Sequence, residues 1–349
     1  MGNCLCGNDK DSVKIALKFP HGISGIVYTD EFEKTDSIDL WIQSLYKDKN
    51  WTGFIVYNDQ TDNLKSTSDE KSPSDEKSPS VEKSSSDQKS PSDEKSPSED
   101  PLTPEGIDLE GITLEGGKKP FCPHTKGHAK GIVAWNDTKV SWLIHSVPNF
   151  PRKFDGKTIS VIEKSEHLYG QSFMYVETSA NLYQEVINRV HMMHANVYLS
   201  KNEPPFTKEP KKNKIVQFKE LKLSESIIHI AKPPAHTHDI YQHISNYEEG
   251  EWLVETWKRG HEIKDQVPEG CISCCWNSGS KSVIKEVKRL SWEDVDWKES
   301  NDHSKWAASE SYLWIGDLNR MTSQFTRGGG GFLIKNPKLA KAFRKLVVE

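Results

Sequence analysis

The 349-residue sequence has no run of about 18 apolar residues, the length a helix needs to cross a bilayer, so no membrane-spanning helix is expected. Its start, MGNCLCGNDK, lacks the basic opening and apolar core of a secretory signal. Cysteine is scarce: six residues, at 4, 6, 122, 271, 274 and 275, too few and too clustered for a disulfide framework. The cluster CISCC (271–275) has no second cysteine pair to complete a four-ligand zinc site, so neither a metal nor another cofactor is expected. Together these absences lead to a reducing, cytoplasmic compartment as the expectation. A net charge of −5 excludes a generally basic nucleic-acid binder, and a hydrophobic fraction of 34% is low for a chain folded along its whole length.

The charge is unevenly spread. Residues 62–100 hold 6 Lys against 11 Asp and Glu, which accounts for the whole −5 and leaves the remainder neutral. With 13 His, that remainder becomes cationic below about pH 6, where unperturbed imidazoles take up protons. From Ser68 a hexapeptide repeats: SDEKSP at 68, 74 and 92, SVEKSS at 80 and SDQKSP at 86. Such a repeat has almost no apolar side chains to offset ordering entropy, so 59–115 is expected to be a disordered acidic insert. Its Ser-Pro steps are candidate phosphorylation sites, and the plainer reading is a passive tether.

Outside the insert, short apolar runs of strand length recur: VKIALKF (13–19), GFIVYN (53–58), GIVAW (131–135), VSWLIH (140–145) and QSFMYVET (171–178). Asn136-Asp137-Thr138 between two of them reads as a hairpin turn. SANLYQEVINRVHMM (179–193) changes to helical spacing, with Leu182, Val186 and Val190 on one face. Strands follow at IVQF (215–218) and SIIHIA (226–231), a helix through 239–257, a strand at LWIGDL (313–318), and an amphipathic helix at 337–348. Strands and helices interspersed in both halves give a mixed α/β class.

Three His-x-Lys triplets occur, at His124-Lys126, His128-Lys130 and His303-Lys305. Chance alone supplies one or two in a chain with 13 His and 39 Lys, so spacing proves nothing. The chemistry is nonetheless suited to phosphodiesters. A neutral imidazole can attack phosphorus, a protonated one can donate to the leaving oxygen, and ammonium groups can neutralise the remaining oxygens. Around the last triplet, Asn319 and Arg327 are candidates to hold a phosphate, and the glycines at 328–331 could admit a ligand close to the backbone or simply make a flexible turn. Around the first, His145 and Asn149 could return to the site His124 reaches, the plain alternative for His145 being a satisfied histidine at a strand end.

The words YNDQ (57–60), HTKG (124–127), HSVPNFP (145–151), YGQSF (169–173), DHSKW (302–306), GDLNR (316–320) and RGGGG (327–331), in this order, resemble the deoxyribonuclease II family. The resemblance implies a phospholipase D-like pseudo-dimer: two similar sheet-and-helix halves in one chain, each giving a His-x-Lys to a site at their junction. The halves are expected at 11–205, interrupted by the insert, and 206–349, behind a disordered segment 1–10. Also implied is metal-independent endonuclease activity on double-stranded DNA, favoured by acid and leaving 3′-phosphate and 5′-hydroxyl ends.

By the same resemblance His124 with Lys126, and His303 with Lys305, are the core, with His145 as third histidine and Asn319 as an oxyanion donor. Asn149 and Arg327 bind substrate phosphate, and His128 falls outside the family words. His124 is expected to be the nucleophile and His303 the acid, the exchanged assignment being the alternative. GDLN at 316–319 resembles the superfamily's Gly-Ser-x-Asn, with Asp317 in place of serine. Alternatives from other classes are a catalytically inactive DNA-binding homologue and a phospholipid phosphodiesterase.

Two departures bear on location. The family's signal peptide is absent, and Ala307, Trp314 and Ile334 stand at or near its cysteines, which favours the cytoplasm over the lysosome. Gly2, Cys4 and Cys6 resemble a dually acylated terminus, which would anchor the protein to a membrane surface; the alternative is an unmodified terminus.

Overall fold

The computed structural model describes residues 12–47, 49–60, 126–202, 217–234, 236, 238–258 and 282–348. The chain opens with β1 (Ser12–Lys18), β2 (Gly25–Tyr28) and β3 (Phe32–Thr35), then α1 (Ile38–Tyr46) and β4 (Gly53–Asn58). After the acidic region come β5 (Lys130–Trp135), β6 (Lys139–His145), β7 (Gln171–Ser179), α2 (Tyr183–Met192) and β8 (Val197–Lys201). The second half holds β9 (Lys219–Lys222), β10 (Ile227–Lys232), α3 (Ile240–Ile244), β11 (Glu251–Glu255) and β12 (Val283–Glu286). A hairpin of β13 (Arg289–Trp292) and β14 (Val295–Lys298) precedes β15 (Trp306–Ala308), β16 (Tyr312–Gly316), β17 (Gly329–Lys335) and α4 (Pro337–Arg344).

The strands build two large sheets. The first runs β3-β2-β1-β7-β6-β5-β4-β8 and the second β12-β11-β15-β16-β17-β10-β9. Read from opposite ends, the stretches β2-β1-β7-β6-β5-β4 and β9-β10-β17-β16-β15-β11 have the same order. Both are antiparallel throughout, and the registers agree: Lys18 pairs with Gln171 where Lys232 pairs with Gly329, and His145 pairs with Phe173 where Gly316 pairs with Gly331. The fold is mixed α/β, with four short helices and the strand order written twice among the described residues.

Alternation along the strands sorts side chains into layers. Ile132 and Ala134 of β5 face α1, whose Ile38, Ile42, Leu45 and Tyr46 supply a helical apolar stripe. Val133 and Trp135 point the other way, into a core shared with Trp306, Ile315 and Phe332 of the second sheet and with α2 and α4. Trp142 lies at this seam, 4.1 Å from the His229 ring and 5.1 Å from Phe332. Burying a ring of this size contributes about 2–3 kcal/mol.

Local chemistry explains where elements begin. Ser37 caps α1 by accepting from the Leu40 N–H, and Asn336 caps α4 by accepting from Leu339, with Pro337 in the first turn where no N–H is missed. Asn136 Oδ1 receives the N–H groups of Thr138 and Lys139, which turns the β5–β6 hairpin as expected.

Several expectations change. The helix expected over 239–257 is only α3 and a 3-10 turn, Ser245–Tyr247; Gly250, at φ +118°, reverses the chain, and Glu251–Glu255 alternates buried and half-buried as β11. The closing helix stops at Arg344, after which Val348 N–H bonds to Arg289 O. Of the strand expected at 215–218, 215 and 216 lie outside the described residues, and β9 begins at Lys219. The glycine run is no flexible turn, because Gly329–Gly331 are buried strand residues. A Cβ on Gly331 would stand 2.4 Å from Ile315 O and one on Gly330 2.7 Å from Ile230 O, so the neighbouring strands, not a ligand, demand glycine.

His229 is fully buried, and neither ring nitrogen has a hydrogen-bond partner among the described residues. Burial, with Arg189 nearby, holds it well below the ordinary histidine range. The unfolded chain therefore takes a proton there below about pH 6.5 while the folded chain does not, and stability falls with pH. His229→Phe is expected to flatten that loss. Urea unfolding at pH 7 and pH 5 should show a smaller drop in the variant than in the wild type, and equal drops would contradict the burial argument.

Candidate active site

The repeated strand order brings two His-x-Lys segments to matching positions, each ending where a central strand starts. They are His128-Lys130 ahead of β5 and His303-Lys305 ahead of β15. The anchoring is reciprocal between the halves. His128 N–H donates to Gly328 O at 2.7 Å, immediately before β17, and His303 N–H donates to Gly170 O at 2.8 Å, immediately before β7. Two residues on, Lys130 N–H bonds to Asp317 Oδ1 at 3.3 Å and Lys305 N–H to Ser172 Oγ at 3.2 Å. Glycine is required at both acceptors, since a Cβ on Gly170 would lie 2.7 Å from the Asp302 carboxylate and one on Gly328 2.1 Å from Met193 O.

Among the described residues, the first-half segment that matches His303-Lys305 is not the expected one. His128 and Lys130, set aside on sequence, stand opposite His303 and Lys305. Lys126 is exposed, and its carbonyl oxygen lies 3.4 Å from the Arg327 guanidinium. His124 lies outside the described residues, as do Gly2, Cys4, Cys6 and the repeats from residue 61 to 115. The acidic insert was expected to begin at residue 59, yet Asp59 is buried and in the site.

The two histidines are dressed differently. Beside His128, Asp59 pairs with Lys130 and accepts from Arg327 Nη2 at 2.8 Å, with His128 Nε2 4.0 Å away. At the matching positions beside His303 stand Trp257 and Tyr169. The Tyr169 ring stacks on His303 at 4.0 Å and 11°, and Trp257 lies 3.8 Å from it at 45°. Glu166 Oε2 is 4.0 Å from His303 Nδ1. The segments carrying these groups are held by matching buried lysines. Lys18 Nζ donates to the carbonyls of Phe19, Gly22 and His167, and Lys232 Nζ to those of Phe325 and Arg327.

Burial governs most of the charge states. It takes Lys305 down to about 7, helped by the Lys130 ammonium, and raises Asp317 to about 7. It holds His128 well below the usual range, with Lys130 adding to the effect. For Asp59 burial pushes upward, but Lys130, His128 and Arg327 outweigh it and hold the carboxylate far below its ordinary value. His128 Nδ1 is 2.7 Å from Asp317 O; a carbonyl only accepts, so Nδ1 carries the hydrogen and Nε2 keeps its lone pair.

Other expected residues are distributed as follows. His145 ends β6, buried, with Phe150 5.2 Å and Phe173 6.2 Å from its ring. Burial first and Lys130 second bring it down to about 3, so it is neutral. Asn149 sits at φ +52°, a turn position asparagine tolerates, in a loop whose Val147 and Phe150 carbonyls accept from Asn58 Nδ2. Asn319 lines a small cavity with His238, Asp239 and Gln324, on the α3 side of the second sheet. Arg327 reaches the site as part of the Asp59 ion pair.

Asp59 was quoted only as part of YNDQ, and its role was missed. The available signal was an Asn-Asp pair ending a fully buried strand, where a carboxylate needs cations nearby.

Comparison with known proteins places the chain among the relatives of nucleases. The chain is 28% identical over 245 residues to cell-death-related nuclease 7 of Caenorhabditis elegans, covering 64% of this chain and 63% of that one. It is 28% identical to deoxyribonuclease-2-beta of Mus musculus (64% and 65%) and 26% identical to plancitoxin-1 of Acanthaster planci (64% and 64%). The match thus spans somewhat less than two thirds of each relative's length. A solved phosphatidylserine synthase from Haemophilus influenzae aligns over 62% of this chain and 60% of its own at 15% identity, with a TM-score of 0.32, too shallow a likeness to bear on the fold. The deoxyribonuclease II family model matches residues 118–349, including both His-x-Lys segments, and the chain belongs to the deoxyribonuclease II family.

Proposed function

We propose that this protein is a metal-independent endonuclease that hydrolyses double-stranded DNA through a phosphohistidine, leaving 3′-phosphate and 5′-hydroxyl ends. The observation that carries the reading is the matched, reciprocally anchored pair His128-x-Lys130 and His303-x-Lys305. Relatives named as nucleases and deoxyribonucleases support the substrate.

In this mechanism the Nε2 lone pair of His128 attacks phosphorus, and the P–O5′ bond breaks as O5′ takes a proton from His303. Water then gives a proton back to His303 and its oxygen attacks phosphorus. The P–N bond to His128 breaks, and the 3′-phosphate leaves. Lys130 and Lys305 neutralise the non-bridging oxygens, each such preorganised donor being worth about 10²-fold or more. The tautomer set by Asp317 O leaves Nε2 free to attack, which supports His128 as the nucleophile. Glu166 and the two aromatic rings lie against His303, the residue assigned the acid role. Lys305 is charged only below about pH 7, which favours acid.

Plasmid cleavage in excess EDTA, with end-group analysis, tests the reading. His128→Ala and His303→Ala should each lose at least about 10³-fold, whereas His124→Ala should stay within about tenfold of wild type. Full activity without His128 would overturn the assignment.

Asp59 should matter for stability as well. Removing one partner from a buried ion pair costs about 3–5 kcal/mol. Asp59→Asn is therefore expected to lower the unfolding free energy by about 3 kcal/mol at pH 7. Because the folded-state value is depressed, the native contribution is complete above about pH 4 and fades below, so the gap between variant and wild type should narrow there. Denaturant titrations at pH 7 and pH 3.5 measure it.

A further inference from the structure

Asp317 marks the point where the second half departs from the first. In the first half, Ser146 and Ser172 bond to each other, and the Ser172 hydroxyl takes the Lys305 N–H. The residue matching Ser172 is Gly330, whose missing side chain leaves the Lys130 N–H without an equivalent hydroxyl. Asp317, in the place of Ser146, is long enough to reach it: Oδ1 accepts from Lys130 N–H, while the Asp317 carbonyl holds His128 Nδ1. The carboxylate's other oxygen, Oδ2, is buried and has no hydrogen-bond partner among the described residues.

An ionised carboxylate with one bare oxygen beside a phosphate site has a direct electrostatic cost for an anionic ligand. The groups facing it are Lys130 and His128 from the segment before β5, Tyr57 and Asp59 from the end of β4, and Lys305 from the segment before β15. Asp317 and Lys305 are both brought to about 7, so both change charge over the same interval. Below it, Lys130, Arg327 and Lys305 face the single carboxylate of Asp59. Above it, Lys130 and Arg327 face two carboxylates, and the excess positive charge is gone.

We propose that Asp317 is a proton-operated gate on the phosphate site: protonated, it admits a DNA phosphodiester, and ionised, it repels one. The consequence for cleavage rests on the nuclease reading; the consequence for DNA binding does not.

The test uses the His303→Ala protein, which should bind without cutting, and a fluorescent 20-base-pair duplex at fixed ionic strength. Its affinity should fall about tenfold or more from pH 5.5 to pH 7.5, an effect of the size expected for one added like charge near the ligand. Adding Asp317→Asn should shrink that fall by about threefold or more, the remainder being the charge Lys305 loses over the same interval. In protein with His303 intact, Asp317→Asn should raise the ratio of the cleavage rate at pH 7.5 to that at pH 5.5.

Asp317→Ser, which installs the residue of the first half, should act the same way and serves if the asparagine variant does not fold. Thermal melts add an independent readout. A carboxyl raised in the folded state keeps a proton that the unfolded chain releases, so wild type should lose stability relative to Asp317→Asn between about pH 4 and pH 7, and not beyond.

An unchanged pH dependence of binding in a folded Asp317 variant overturns the gate, even if the wild type cleaves DNA. A binding switch that vanishes with Asp317 in a protein that never cleaves sustains the gate and removes the nuclease reading.

Discussion

Each half of this protein holds the other half's reactive segment. The His128 amide is fixed by Gly328 and the His303 amide by Gly170, so each His-x-Lys is held in part by the sheet that does not carry it. The Lys130 and Lys305 amides repeat the exchange through Asp317 and Ser172. A site built this way exists only when both sheets are docked, and the docking is driven by the shared core around Trp142, Trp306 and Phe332. Apolar burial at the seam and chemistry at its edge are therefore coupled. A loosened seam moves two histidines apart, and a displacement of even 1 Å between reacting groups is costly in rate.

A repeated scaffold would by itself give two equivalent histidines, but the proposed chemistry needs one nucleophile and one acid. The difference comes from the residues at matching positions. Asp59 with Arg327 on one side, and Trp257 with Tyr169 on the other, occupy the same two places next to their histidines. The ion pair surrounds His128 with charges of both signs near the phosphate path. The aromatic rings enclose His303, Tyr169 stacked on it and Trp257 tilted against it, with no formal charge of their own. The scaffold thus supplies symmetry of position and the side chains supply asymmetry of electrostatics.

How much of this could be read in advance depended on whether a signal was local. Strands such as GFIVYN (53–58) and QSFMYVET (171–178) were legible because apolar runs of that length, bounded by turn residues, have few other uses. The short helix α1 was missed, although Ser37 and the spacing of Ile38, Ile42 and Leu45 announced it. The residues 239–257 were misread because Glu249-Gly250 was taken for part of a helical pattern, when a glycine there frees the chain to turn. HTKG and HAKG are adjacent near-copies, and a word match cannot rank His124 against His128. The register could have done so. Lys305 is followed directly by the strand that begins at Trp306, and GIVAW follows Lys130 directly, whereas HTKG is followed by polar His128-Ala129-Lys130. Asp59 was beyond local reach, since its partners Lys130 and Arg327 are 71 and 268 residues away in sequence.

Burial sets opposing limits on the pH at which such a site can work. It drives His128, His145 and His229 toward the neutral form and Asp317, Asp302 and Glu255 toward theirs, so the interior resists charge of either sign. Acid therefore strains the fold, since each buried neutral histidine costs up to about 1.4 kcal/mol per pH unit below its unfolded value. Base strains it too, because buried carboxyls must ionise or hold their protons against solvent. Asp59 is held the other way, because Lys130 and Arg327 beside it outweigh its desolvation. In the chain of Lys130, Asp59 and Arg327 the carboxylate is held far below its ordinary value. In the proposed mechanism that chain flanks the phosphate, while Lys305 and Asp317 set whether the positive charge around it is sufficient to keep one.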